Sequence, residues 1–190
     1  MKVSNELIEK MKEFEGCSLK AYRDSAGILT IGIGHTGRDV VEGDVISSEE
    51  AVRLFRSDVA YAERVVNNLN EEIQKRTNGY GGLKQQHFDA LVDLVYNAGE
   101  ITIRNNNTMY NVLVRSNGQY DYPSVCRAFM LWCKITNPKT GKKEVCGGSD
   151  GKHGLVLRRA IDAAWYVYGS NYEQEMKSYK IQDIVEWARS

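Results

Sequence analysis

In the stretch Glu15-Gly16-Cys17-Ser18-Leu19-Lys20-Ala21-Tyr22-Arg23-Asp24-Ser25-Ala26-Gly27-Ile28-Leu29-Thr30-Ile31-Gly32-Ile33-Gly34-His35-Thr36 the chain changes its apolar period from that of a helix to that of a strand. Within the strand expected over residues 28–35, residues 29–34 alternate strictly. Leu29, Ile31 and Ile33 share one face, and Thr30, Gly32 and Gly34 share the other. The first face is apolar and belongs inward. The second is stripped of bulk, as expected where a ligand lies close to the backbone. Asp24-Ser25-Ala26-Gly27 is a turn-forming cluster, so residues 19–35 are predicted to fold as a β-hairpin. If Asp24 opposes Ile28, then Tyr22 opposes Thr30. Asp24 and Thr30 then become diagonal neighbours on one face, roughly 7–8 Å apart at the backbone.

Upstream, Leu7, Ile8, Met11 and Phe14 fall on one helical stripe over residues 4–15. Ser4 or Asn5 caps the start and Gly16 ends it, which puts Glu15 on the last turn. Downstream, Ser47-Ser48-Glu49-Glu50 is a capping box. One long helix is expected after it, with Val52, Phe55, Val59, Ala62, Val66 and Leu69 inward. Asn78-Gly79-Tyr80-Gly81-Gly82 interrupts the pattern, and residues 84–97 resume it with Phe88, Leu91, Val92 and Val95. Residues 108–115, 122–133, 154–168 and, more weakly, 171–189 are further helix candidates. Residues 135–153 are polar and glycine-rich, which suggests a loop or small hairpin. The plan is α+β, two-lobed, with a small antiparallel sheet confined to the N-terminal lobe and a larger helical lobe after it. One domain over residues 1–190 is expected: an N-terminal lobe over about 1–60, a helical lobe over about 61–170 and a terminal extension over 171–190.

The 190 residues suffice for a sizeable core, and 42% apolar with 26% charged is ordinary for a globular chain. Lys+Arg and Asp+Glu both number 25, so no net field favours nucleic acid or an acidic membrane. No apolar run approaches the ~18 residues of a membrane span, so no stable membrane insertion is expected. The polar start Met1-Lys2-Val3-Ser4-Asn5-Glu6 does not resemble a signal peptide. The expectation is synthesis in a bacterial cytoplasm and delivery by other means.

Two carboxyl groups, one at a helix exit and one in a hairpin turn, suit glycoside hydrolysis. One acid protonates the leaving oxygen while the other handles water or attacks the sugar. Beyond that chemistry, the spacing Glu15, eight residues, Asp24, five residues, Thr30, followed by Thr30-Ile31-Gly32-Ile33-Gly34-His35, resembles the phage lysozymes of glycoside hydrolase family 24. Weaker likeness continues through Phe88-Asp89-Ala90-Leu91, Val95-Tyr96-Asn97-Ala98-Gly99-Glu100, Phe129-Met130-Leu131-Trp132 and Gly154-Leu155-Val156-Leu157-Arg158-Arg159, so it spans residues 5–169. The resemblance implies the two-lobed lysozyme fold with a cleft between sheet and helices. It implies hydrolysis of the β-1,4 bond between N-acetylmuramic acid and N-acetylglucosamine, with Glu15 as general acid and Asp24 with Thr30 holding the water, by inversion. Gly32, Thr36 and Tyr96 match substrate-lining positions. No cofactor or metal is implied.

His35 lies where the sheet ends, and Asp58 on the following helix is its expected partner in a structural role rather than a catalytic one. Of the four cysteines, Cys133 and Cys146 bracket the polar segment and form the candidate disulfide. A zinc site of Cys133, Cys146 and His153 is the lesser alternative, since no tight paired spacing is present. The partner implied is the glycan strand of peptidoglycan, with an immunity or inhibitor protein added if the chain is a toxin domain, and the chain is expected to be a monomer. Two rival readings are a lytic transglycosylase and a peptidoglycan-binding module without turnover.

Overall fold

The computed structural model describes residues 1–24, 26–76, 81–104, 109–110, 112, 121–136, 141–145, 154–180, 183–184 and 186. Most of the expected break at 78–82 and helix at 108–115 lie outside them, as do Cys146 and His153. The chain divides into two compact units, Met1–Arg64 and Val65–Ser190. No described helix is long and apolar enough to cross a membrane.

In the first unit, α1 spans Asn5–Glu15, and the Ser4 hydroxyl accepts from the Leu7 amide at its start. Leu7, Ile8 and Met11 form its buried stripe. The sheet follows as β1 (Ser18–Arg23), β2 (Leu29–Gly32) and β3 (His35–Thr36), antiparallel in that order. The hairpin register is the expected one: Tyr22 pairs Thr30, Arg23 pairs Leu29, and the Asp24 amide donates to the Ile28 carbonyl at 2.9 Å. A bulge shifts the register between Ser18 and Tyr22.

The single strand expected over residues 28–35 is instead two strands and a tight turn. Gly32 and Gly34 have φ of +64° and +74°. Extended backbone cannot include those values, and only glycine adopts them without a Cβ penalty. The glycines that pattern reading assigned to an open strand face therefore reverse the chain, so that Ile31 pairs His35 and Thr30 pairs Thr36.

α2 (Ser48–Asp58) begins at Ser47, whose hydroxyl accepts from the Glu50 amide. The long helix expected here is broken at Val59, and α3 runs Ala60–Arg76. Because the apolar stripe passes straight through the joint, with Phe55, Val59, Ala62 and Val66 all buried, its period carries no mark of the break. Glu63 is buried near the start of α3, accepting from the Val3 amide at 2.9 Å and from Lys2 Nζ at 2.6 Å.

The second unit is built on α4 (Gln85–Ala98), in which every residue from His87 to Val95 is buried. α5 (Tyr122–Met130) starts at the Asp121 cap with Pro123 in its first turn. β4 (Lys134–Thr136) and β5 (Lys143–Val145) form a small antiparallel hairpin. α6 (Gly154–Tyr168) packs against both α4 and α5. The terminal helix expected over 171–189 is interrupted: α7 (Tyr172–Met176) ends in a turn and bend over residues 177–179, and residues 183, 184 and 186 are helical again. Aromatic and apolar contacts tie this segment to the core. Tyr172 stacks on Trp165 with ring centroids 5.5 Å apart, Tyr179 meets the Tyr122 ring edge-on at 4.7 Å, and Ile184 is buried.

Charges lie inside this helical core. Arg158 on α6 makes a forked pair with Asp93 on α4, its Nε 3.1 Å from Oδ2 and its Nη2 bonded to Oδ1. The fully buried Arg159 donates to Asp162 and to Asn97. Burial, and after it the charge of Asp93, holds the Asp162 carboxyl well above the usual range. Burial also opposes ionisation of Asp93, but the Arg158 guanidinium outweighs it and holds Asp93 below the usual range. Asp162 is thus the member of the pair that favours its protonated form, in which it donates to Asp93. A group raised in the folded state stabilises fully below its unfolded value and loses that contribution as pH climbs toward the folded one. Asp162→Asn keeps a donor at the same place, so it should fold with stability within about 1 kcal/mol of wild type in urea at neutral pH, without that slope. A loss of several kcal/mol would mean that Asp162 is ionised.

Candidate active site

Glu15 is the last residue of α1, and its half-buried side chain lies against the turn between β2 and β3. A Cβ placed on Gly34 would sit 3.5 Å from Glu15 Cβ and 4.0 Å from its Oε2. These are ordinary contact distances, so the Glu15 side chain packs on this turn, and it is the positive φ of Gly34 that calls for glycine there.

Asp24 ends the β1 edge of the hairpin. Its Oδ1 accepts from the amides of Ala26 at 2.9 Å and Ile28 at 2.8 Å, which locks the turn and the carboxylate together. Among the described residues Oδ2 accepts no hydrogen bond, so that oxygen remains for water or a ligand. Thr30 is 3% exposed, and its hydroxyl donates to the Ile28 carbonyl at 3.1 Å, leaving its lone pairs as acceptors. Directly paired residues share a face of an antiparallel sheet, and so do residues two apart along a strand. One face therefore carries Tyr22, Thr30 and Thr36 in a row across the three strands, with Asp24 and Ile28 in the next row.

The other expected positions divide. Gly34 lies beside Glu15. Gly32 faces no open space: a Cβ there would meet Ala51 at 3.4 Å and Ile46 at 3.5 Å. Gly32 is thus packed against α2, and its positive φ is what calls for glycine, which corrects the reading of Gly32 as part of an open floor. Thr36 is exposed on β3, and Tyr96 lies half-buried on α4 in the second unit. Cys133 is buried and its thiol donates to the Met130 carbonyl at 2.9 Å. Its pairing with Cys146, and the zinc alternative, fall outside the described residues. Cys17 is an exposed free thiol, and Cys126 is a buried one whose pKa burial pushes up to about 12.

The structure brings His35 and Asp58 together, Nδ1 lying 2.9 Å from Oδ2. It adds a partner that pattern reading missed. Asp39, four residues on, lies 3.1 Å from Nε2. The signal was the short spacing His35-Thr36-Gly37-Arg38-Asp39, which a tight loop closes. Burial disfavours the imidazolium, but hydrogen bonds to Asp58 and then Asp39 outweigh it, so the His35 pKa is raised. The stabilisation is complete below the ordinary histidine value and is lost as pH rises through the folded one. Thermal stability of the wild type should fall between about pH 6 and pH 8 by roughly 1 kcal/mol, a figure kept small by solvent screening. His35→Asn should start lower and lack the slope; an unchanged slope would place its origin elsewhere.

Residues 12–162 match the phage lysozyme family model. The chain is 31% identical over 138 residues to the endolysin of Salmonella phage P22, covering 70% of this chain and 85% of that one. Among solved structures, the endolysin from Escherichia coli O157:H7 phage FAHEc1 superposes with a TM-score of 0.68 at 32% identity, covering 88% of this chain and 94% of that one. The muramidase domain of SpmX from Asticaccaulis excentricus does so with a TM-score of 0.64 at 26% identity, covering 87% and 97%. With a family match that takes in the last turn of α1, the three-stranded sheet and the chain as far as Asp162, this chain belongs to the phage lysozyme family.

Proposed function

We propose that this member of the family is a muramidase, which hydrolyses the β-1,4 bond from N-acetylmuramic acid to N-acetylglucosamine in peptidoglycan by inversion. The observation that carries the reading is local to the first unit. Glu15 rests on the β2–β3 turn, while Asp24 and Thr30 share a face of the same sheet. In this mechanism the Glu15 carboxyl gives its proton to the glycosidic oxygen as the bond from C1 to that oxygen breaks. A water held by Asp24 Oδ2 and Thr30 Oγ1 attacks C1 from the opposite side and passes its proton to the Asp24 carboxylate. The mechanism needs Glu15 protonated and Asp24 ionised. Asp24 Oδ1 accepts from two backbone amides, which fixes the carboxylate in the turn beside Thr30. The wall, outside the cytoplasm, is the place of action.

Product analysis tests this. Purified sacculi digested by the chain should yield fragments with free reducing N-acetylmuramic acid ends, and NMR of fresh digests should show the α anomer first. Anhydro ends would identify a transglycosylase, and β-first products would mean retention. Absence of any release from permeabilised Gram-negative cells would leave a binding module.

A further inference from the structure

Tyr22 is 40% exposed and Ile28 is 52% exposed. Register places both on the sheet face that carries Asp24 and Thr30: Tyr22 directly opposite Thr30, and Ile28 directly opposite Asp24. Among the described residues the Tyr22 ring has no aromatic neighbour and its hydroxyl makes no hydrogen bond. A single exposed apolar side chain is ordinary, but here two of them adjoin one carboxylate that is locked into its turn. Nothing in the folding of the first unit requires an aromatic ring at this place, because its apolar core is made by Leu7, Ile8, Met11, Ile31, Ile33 and Phe55. A pyranose ring is amphipathic. Its hydroxyls project around the rim, while one face presents C–H groups that pack on an aromatic plane.

We infer that Tyr22 is a substrate-binding residue of this site, its ring stacking on the C–H face of a sugar next to the bond cut, with Ile28 extending the apolar platform. The inference rests on the muramidase reading and deepens it. The rim hydroxyls of a stacked sugar would remain in water or reach the polar row of Thr30 and Thr36, which fixes the orientation in which the sugar lies. Asp24, two residues on from Tyr22 and opposite Ile28, then directs its water at the anomeric carbon from a defined side. Binding of this kind is uniform through the reaction, so its loss should raise KM and leave kcat nearly unchanged.

The probe is a soluble tetrasaccharide of alternating N-acetylglucosamine and N-acetylmuramic acid. Binding is measured by calorimetry in a Glu15→Gln background, so that turnover does not intervene. Tyr22→Ala and Tyr22→Leu should each weaken binding roughly tenfold, whereas Tyr22→Phe, which keeps the ring, should bind as well as its parent. Thermal unfolding of each variant separates this from loss of fold. In the Glu15-intact chain the same Ala and Leu changes should raise KM by a similar factor. Equal binding by the Phe, Leu and Ala variants would overturn the platform while leaving the muramidase reading intact. A parent that binds no tetrasaccharide, together with a wild type that releases no reducing ends, would overturn both.

Discussion

Glu15→Gln should reduce release of reducing ends from peptidoglycan by about 10²–10⁴-fold, the usual contribution of a positioned general acid. The substitution preserves the shape that rests on Gly34 and removes only the transferable proton. It should not unfold the chain. Glu15 sits on the last turn of α1, where the helix dipole does not call for a negative charge, so the amide should leave the melting temperature close to that of wild type. That combination, activity lost with stability kept, separates a functional acid from a structural one, and functional residues commonly stand where they do not help the fold. Asp24→Asn should also lose activity. There the two amide bonds to Oδ1 can persist, so the hairpin survives while the base is gone. If Glu15→Gln cleaves at the wild-type rate, the assignment of the acid is wrong, whatever the other residues do.

Asp93→Ala should cost about 3–5 kcal/mol of stability in urea denaturation, the largest stability effect expected in the molecule. Asp93 is 1% exposed, and the Arg158 guanidinium is forked onto it between α4 and α6. Removing the carboxylate strands a guanidinium that has little access to water. It also removes the acceptor for the Asp162 proton, so that a second buried group loses its partner. The pair itself need not be a large net gain over an apolar core, because desolvating two charges offsets most of their attraction. A double-mutant cycle with Asp93→Leu and Arg158→Met tests this directly. Each single change should be severe, and the double change should cost much less than their sum. Additive costs would mean that the two charges act independently and that the fork contributes nothing.

Local signals were enough for much of this protein. The Ser4 and Ser47 caps, the apolar stripes of α1 and α4, the turn at Asp24 and the register Tyr22–Thr30 all follow from interactions between residues close in sequence. A capping hydroxyl, a period of 3.6 and a two-residue alternation act within one or two turns, so one chain read alone displays them. The spacing of Glu15, Asp24 and Thr30 was visible for the same reason, since a single helix exit and a single hairpin hold all three.

Only tertiary structure decided what depends on a distant surface. Gly32 and Gly34 look alike in an alternating strand. Both have positive φ and reverse the chain, and one lies in contact range of Ala51 on α2, the other of Glu15, so what each packs against is set by which neighbour arrives. The charged groups of α4 and α6 carried a faint sign in advance, Asp89 and Asp93 interrupting an apolar helix and Arg158-Arg159 another. Their pairing spans about 65 residues of chain. A buried charge is tolerable only where its counter-charge is packed beside it, and packing between separate helices is a property of the folded molecule, not of any segment.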